Sequence, residues 1–260
     1  MFSKTYFKQT VKSNFKLWLI FTGVLCALIC VVLSVFDADT LAQLGSNSAN
    51  MPINPLGDIS TLINLLANQY FGMFCLIFPM IYIIITGNKL ISGQVDNGNM
   101  AYNLSAPISR IQIAGTSMLY LAGSLTLMYG LIVGIGCGAA EILQPGELDL
   151  EAFCRLALGS YLLQLAISAI SFCASCIFNR SSRSLLFGAG LPLVFYGANL
   201  LAGLSKDLKF FKYFSLITLF DKAALIAGEG YSAGLAVLAV ISVVIYTAGI
   251  TVFKKKDLPL

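Results

Sequence analysis

The chain has 260 residues, 58 % of them hydrophobic and only 11 % charged, against about 25 % charged in an ordinary soluble domain. The charges fall almost entirely between six long apolar stretches, which excludes a water-soluble globule and with it most soluble-enzyme classes. There is no histidine, so imidazole metal sites and imidazole acid–base catalysis are excluded as well.

A bilayer core about 30 Å thick needs roughly 20 apolar residues of helix. Six stretches meet or nearly meet that length, at about 17–36, 70–86, 113–137, 156–178, 184–204 and 232–253. The predicted fold class is therefore an all-α integral membrane protein with six transmembrane helices, forming a single transmembrane domain over residues 1–260.

Residues 1–16 predict an N-terminal interfacial helix. Lys4, Lys8, Lys12 and Lys16 recur every four residues. Phe7, Val11 and Phe15 form a parallel stripe roughly 60–100° around the helix from them. Such a segment can lie on the inner leaflet with its lysines snorkelling to anionic headgroups, or serve simply as a positive-inside anchor. The apolar run that follows exceeds the roughly 7–15 residues of a cleavable signal sequence, so the first span is expected to remain as a signal anchor.

Residues 37–69 carry Asp37, Asp39 and Asp58 and no basic residue. They read as an external loop with one short helix near Ile59–Ala67. The second and fifth spans contain Pro79 and Pro192, which membrane helices tolerate where neighbouring groups satisfy the freed carbonyls. Small residues mark the third span (Gly123, Ser124, Gly130, Gly134, Gly136) and the fifth (Gly188, Gly190). Gly130-x-x-x-Gly134 permits close helix packing, expected here within the subunit. Between the third and fourth spans lies a short acidic connection, 141–155. Asn179-Arg-Ser-Ser-Arg183 is a tight turn between the fourth and fifth. Before the last span, 205–231 combines the aromatic run Phe210–Phe220 with an apolar Ala223–Ala227 stretch too short to cross. Re-entrant or interfacial outer helices are predicted there.

Basic residues set the orientation. With both termini inside, the inner segments hold 11 of the 16 lysines and arginines, while the outer face holds 10 of the 12 acids. The lysines between 206 and 222 run against this pattern.

Several chemistries have no residues to carry them. No Gly-x-x-x-x-Gly-Lys-(Ser/Thr) phosphate loop occurs, so ATP hydrolysis by that chemistry is not expected of this chain. No Asp, Glu, Lys or Arg falls inside the six spans as drawn, which argues against proton-coupled transport and against an intramembrane hydrolase. Six of the seven cysteines lie in or at the edge of spans, Cys154 being the exception. Cys173-x-x-Cys176 sits in an apolar helix without partner ligands, so packing rather than redox or metal chemistry is expected.

The longest inner connection, 87–112, is the most specific part of the chain. It contains Asp96-Asn-Gly-Asn-Met-Ala-Tyr-Asn-Leu-Ser-Ala-Pro-Ile-Ser-Arg110. Pro107 biases Ala106 away from helix and stops the turn, and Gly98 admits an unusual backbone angle at its start. A short helix so bounded is a rigid projection, able to pass a push to the two spans it joins. The pattern resembles the first cytoplasmic loop of permease subunits of type-2 ATP-binding-cassette (ABC) transporters, in which an acidic residue and a glycine two later precede a short amphipathic helix and Leu-Ser-x-Pro-(Val/Ile)-Ser-Arg. The matching residues are Asp96, Gly98, Leu104, Ser105, Pro107, Ile108, Ser109 and Arg110. Asp96 stands where that family usually has Glu, and Asn99 where it has Thr. The closing Phe253-Lys-Lys-Lys-Asp-Leu258 is similar to the family's basic tail, so the resemblance covers the whole chain.

The resemblance implies the membrane-spanning permease subunit of an ATP-driven exporter, with a cytoplasmic coupling helix between spans two and three. The implied partners are a separate ATP-binding-cassette ATPase subunit, a second copy or a related permease, and the lipid bilayer, without nucleic acid. ATP and magnesium would bind the ATPase subunit; this chain would hold no cofactor or metal and would be no enzyme on its own. The implied location is a bacterial cell membrane, with N- and C-termini cytoplasmic. The rival reading is a non-transport scaffold, immunity or sensor protein on the same six-helix architecture.

Overall fold

The computed structural model describes residues 3–36, 40, 61–105, 108–204, 210 and 215–257, with the side chains of 103, 104, 203 and 204 outside that description. The described residues contain helices and no strand. Numbered in chain order, six are long and apolar enough to cross a membrane: α1 (Lys4–Val35), α2 (Leu62–Leu90), α5 (Arg110–Leu143), α6 (Leu150–Ile177), α7 (Ser181–Leu204) and α9 (Ser232–Lys255). Short helices α3 (Ser92–Asp96) and α4 (Asn99–Ser105) join α2 to α5. A 3-10 turn (Leu216–Leu219) and α8 (Lys222–Ala227) precede α9.

All six helices extend beyond the predicted spans, and two expectations change as a result. The short helix expected near Ile59–Ala67 is the outer end of α2: Leu62–Leu65 runs without interruption into the span. The N-terminal segment is likewise no separate interfacial helix, because α1 is continuous for 32 residues. At about 1.5 Å per residue it is about 48 Å long, more than the hydrocarbon core. Its lysine-bearing turns therefore project past the bilayer at the end that carries α3 and α4, termed the inner end. The buried face of those turns is the polar one, Tyr6, Thr10 and Asn14, while Phe15 is exposed and Phe7 and Val11 are half-buried. Thr10 and Asn14 return their donors to carbonyls one turn back, at Tyr6 and Thr10, which makes the burial affordable.

Helix α6 is the centre of the bundle. It packs on α9 along most of its length and also touches α2, α5, α7 and α8. In its most apolar stretch 72 % of the residues are buried, against 22 % in α7 and 28 % in α9. Many of its inward residues are small, among them Ala157, Gly159, Ser160, Ala166, Ala169 and Ser175, which lets neighbouring backbones approach closely, as membrane helices require in the absence of a hydrophobic drive between them.

The proline of α2 sits beside this centre. Pro79 has no N–H, so the carbonyl of Cys75 four residues earlier loses its helical donor. Gln164 of α6 supplies one replacement through Nε2 at 3.0 Å, and reaches the Leu76 carbonyl at 2.8 Å. The Tyr129 hydroxyl of α5 supplies a second at 3.1 Å. Immediately outward, Leu66–Phe74 is wound as a π-helix of nine residues, an irregularity that proteins tend to keep at working sites.

Helices α1 and α5 are joined at three heights. The Ser3 backbone N–H donates to Thr116 Oγ1 at 3.2 Å, Trp18 Nε1 to the Ser124 carbonyl at 2.9 Å, and Gln144 Nε2 to the carbonyls of Leu33 and Phe36 at 2.8 and 2.9 Å.

The glycine expectation needs correcting. Among the described residues, a β-carbon added at Gly123, Gly130, Gly134 or Gly190 would meet nothing within 4 Å, so these positions make no close packing there. Gly136 of the same span is tight, against Phe153 and Ile29, as are Gly159 against Leu225 and Phe220, and Gly234, where a β-carbon would stand 2.8 Å from the Leu219 carbonyl oxygen. Gly188 also packs: a β-carbon there would stand 3.3 Å from the Ser171 backbone.

The outer end is closed by the two short elements before α9. Helix α8 starts at Asp221, whose carboxylate accepts the Ala223 and Ala224 N–H groups, and ends at Gly228 with φ +75°. Arg155 of α6 holds its last turn through Nε to the Leu225 carbonyl and Nη2 to that of Ile226, and pairs with Glu151 at 2.6 Å.

Two stability predictions follow from this packing. Gly234→Ala places a β-carbon against a backbone carbonyl and should cost about 1–3 kcal/mol, whereas Gly130→Ala should stay within about 0.5 kcal/mol of wild type; thermal unfolding in mild detergent separates them. Arg155→Met removes two charge-assisted bonds and should weaken the outer closure by about 1.5–3 kcal/mol, seen as faster hydrogen exchange over residues 222–228 with α9 unchanged.

Candidate coupling face

The inner ends of the helices converge on residues 91–110. Helix α2 stops at Leu90, and Ile91 (φ −126°, ψ −69°) turns the chain into α3. The joint is tied to α6 and α7 by a polar chain: Ser175 Oγ of α6 accepts the Ser92 N–H at 2.9 Å, Ser92 Oγ donates to Asn88 Oδ1 at 2.7 Å, and Asn88 Nδ2 donates to Ser181 Oγ. Asp96 Oδ2 accepts the Ser181 N–H at 3.1 Å. Asp96 thus receives a donor at the start of α7, where a negative charge is favoured by the helix dipole.

Gly98, with φ +73°, supplies the left-handed turn between α3 and α4, a conformation that costs other residues a steric penalty. Helix α4 then lies with Met100 fully buried against a cluster that includes Leu90, Ile91, Val95, Ile113 and Phe253. On the opposite side Tyr102 is 81 % exposed. The two residues stand about 200° apart on a helix, so burying one commits the other to the surface. Ser105 Oγ donates to the Tyr102 carbonyl at 2.8 Å and closes the last turn.

Beyond the break, Ser109 caps α5 in a reciprocal arrangement: its Oγ accepts the Gln112 N–H at 3.3 Å, and Gln112 Oε1 accepts the Ser109 N–H at 2.9 Å. This pairing fixes where α5 begins. Arg110 Nη1 donates to the Lys256 carbonyl at 2.7 Å, and Lys256 Nζ donates to the Cys176 carbonyl at the end of α6 at 3.0 Å. Partial burial pushes the Lys256 ammonium down to about 8, with the nearby Cys176 acting in the opposite sense.

The sequence-predicted residues therefore occupy one continuous surface segment with different local tasks. Asp96 and Arg110 anchor its two ends, to α7 and to the end of α9. Gly98 makes the turn, Ser105 closes α4 and Ser109 caps α5, while Ile108 is half-buried against the inner cluster. Pro107 and the side chain of Leu104 lie outside the described residues. Sequence reasoning missed Asn88, Ser181 and Lys256, which mount the segment, and Tyr102, its exposed aromatic. The signal for Tyr102 was present in Asn-Met-Ala-Tyr, where two large residues fall on opposite sides of a short helix.

Among the described residues no group of three or more Cys, Asp and Glu side chains could hold a metal ion. The residues on either side of α4 are thus tied to α2, α5, α6, α7 and the end of α9 through short polar contacts and the Met100 cluster.

A comparison with curated proteins gave no match. The profile of the family described as ABC-2 family transporter protein matches residues 5–258, nearly the whole chain and including all six long helices. The chain therefore belongs to the ABC-2 family of transporter proteins.

Proposed function

We propose that the chain is the permease subunit of an ATP-driven exporter. It forms half of a translocation path with a second copy or a related permease, and a separate ATP-binding subunit, which carries the ATP and magnesium, docks on the 96–110 segment. The observation that carries this reading is α4: a seven-residue helix whose exposed Tyr102 is backed by a mount tied to five membrane helices. A protruding aromatic on a rigid base suits a partner pocket, and its ties give a push at that point an outlet into the bundle. Asp96, Gly98, Leu104, Ser105, Pro107, Ile108, Ser109 and Arg110 act here as the structure that presents and braces the contact. In this reading the termini are cytoplasmic and the protein resides in the cell membrane, consistent with the basic residues at the α4 end.

Arg110→Glu changes the mount as well as the charge, because Arg110 also holds Lys256, so Tyr102→Ala and Pro107→Ala carry the test. Both variants should insert and fold like wild type, yet retain at least tenfold less of a phosphate-loop ATPase on gentle purification, with a matching loss of substrate-stimulated ATPase activity. Wild-type association and activity in both would overturn the coupling role. Purification of wild type without any nucleotide-binding partner, even from native lipid discs, would favour a non-transport membrane protein. Orientation is checked separately. In a background with the native cysteines replaced, Tyr102→Cys should react with an impermeant maleimide only after the membrane is opened, and Glu147→Cys should react in intact cells.

A further inference from the structure

A cavity of about 420 Å³ opens at the outer end of the bundle, between α2, α7, the 3-10 turn and α8. Its polar lining comprises Asn64 and Asn68 of α2, Asn199 of α7, Thr218, Asp221 and Lys222. Asn68 lies 21 positions from Lys89 at the opposite end of α2, about 30 Å of helix, which puts the cavity at the depth of the outer headgroups.

Lys222 is the group that needs explaining. Its Nζ donates to Asn68 Oδ1 at 2.8 Å, whereas an ammonium has three donors to place. Among the described residues the one ion pair is Arg155–Glu151, so no described carboxylate lies within ion-pair distance of Lys222. Asp221, its neighbour, is exposed and directs Oδ1 to the α8 backbone. Burial draws the Lys222 ammonium below its ordinary range, with Asp221 acting in the opposite sense. Room for the ammonium is made by Gly72 in the π-wound stretch: a β-carbon there would stand 3.0 Å from Lys222 Nζ. A lysine that served only to fill space would be replaced at lower cost by methionine or leucine.

We propose that this cavity binds an oxyanion, a carboxylate or phosphate group, with Lys222 as its cation and the Asn199 carboxamide as a second hydrogen-bonding group. The geometry is that of a concave, partly desolvated site in which one ammonium and the Asn199 carboxamide line the same cavity, where an anion gains a stronger interaction than at an open surface. The oxyanion can belong to a free solute or to a phospholipid headgroup, since both carry the same group to this depth. The inference does not depend on the ATPase partner, so it stands or falls separately from the transport reading.

The full-length protein supplies the test, with thermal stability followed in an uncharged detergent and in phosphatidylcholine nanodiscs. The probes are sodium phosphate and sodium acetate, each against sodium chloride at equal ionic strength, and phosphatidylglycerol added to the discs. Wild type and Lys222→Arg should be stabilised by at least one probe. Lys222→Met should respond at least tenfold more weakly in midpoint concentration. Asn199→Asp, which adds a second carboxylate to the lining beside that of Asp221, should keep the fold and also lose the response, which guards against misfolding of Lys222→Met. A response to phosphate or acetate in detergent identifies a free oxyanion; a response confined to phosphatidylglycerol identifies a lipid headgroup. Equal responses in wild type, Lys222→Met and Asn199→Asp, or no response in wild type to any probe, would overturn the proposal.

Discussion

The bundle depends on one local debt and its settlement: the carbonyl of Cys75 that Pro79 leaves without a donor. In a bilayer such a group cannot turn to water, and leaving it unmet costs several kcal/mol. Gln164 and Tyr129 meet it from α6 and α5, and in doing so fix the height and rotation of three helices against one another. Tyr129 is itself paired with Ser160 of α6 at 2.8 Å. Once that junction is set, the small-residue face of α6 has little freedom, and α9 and α7 pack around it. The π-wound stretch begins just outside the junction, so the outer third of α2 is released from regular geometry where the Lys222 cavity opens.

The two ends of the protein are organised differently. At the inner end, short polar contacts converge from many helices on a compact projection, and the apolar cluster beneath includes Met100, Leu90 and Phe253. That arrangement is stiff. The outer end is assembled from short elements fastened by a few side chains, among them Arg155 and Lys222 for α8 and Ser215 Oγ to the Phe195 carbonyl. Segments of that kind open at lower free energy than the core on which they rest.

The number, order and approximate place of the spans were legible in the sequence, because charge exclusion over about 20 residues is a direct physical demand of the bilayer. Helix ends were not, since apolarity stops at the membrane surface while hydrogen-bonded helix does not. Hence Lys4–Val35 outran its span at the inner side and Leu62–Leu65 at the outer. The Phe7, Val11, Phe15 stripe misled for a related reason: an apolar face next to lipid needs no protein partner, so apolarity there does not mark the buried side. Tyr6, Thr10 and Asn14 are the buried ones: Thr10 and Asn14 place their donors on carbonyls of their own helix, and Tyr6 reaches the Leu90 carbonyl of α2. The same logic separates the glycines. Gly130 and Gly136 look alike in sequence, and only the position of Phe153 and Ile29 makes one indispensable. In the inner loop, the Gly98 turn and the capped start of α5 could be anticipated from residue type, but the long-range ties of Asp96 to Ser181 and of Arg110 to Lys256 could not.

The three-point fastening of α1 to α5 makes these helices a single plank, some 48 Å from end to end by helix rise. The plank is not separate from the rest: the Tyr82 hydroxyl of α2 donates to Ser124 Oγ of α5 at 2.9 Å, and the Tyr129 hydroxyl of α5 to the Cys75 carbonyl of α2 at 3.1 Å. A tilt of the plank would therefore load α2 beside its proline and its widened turns.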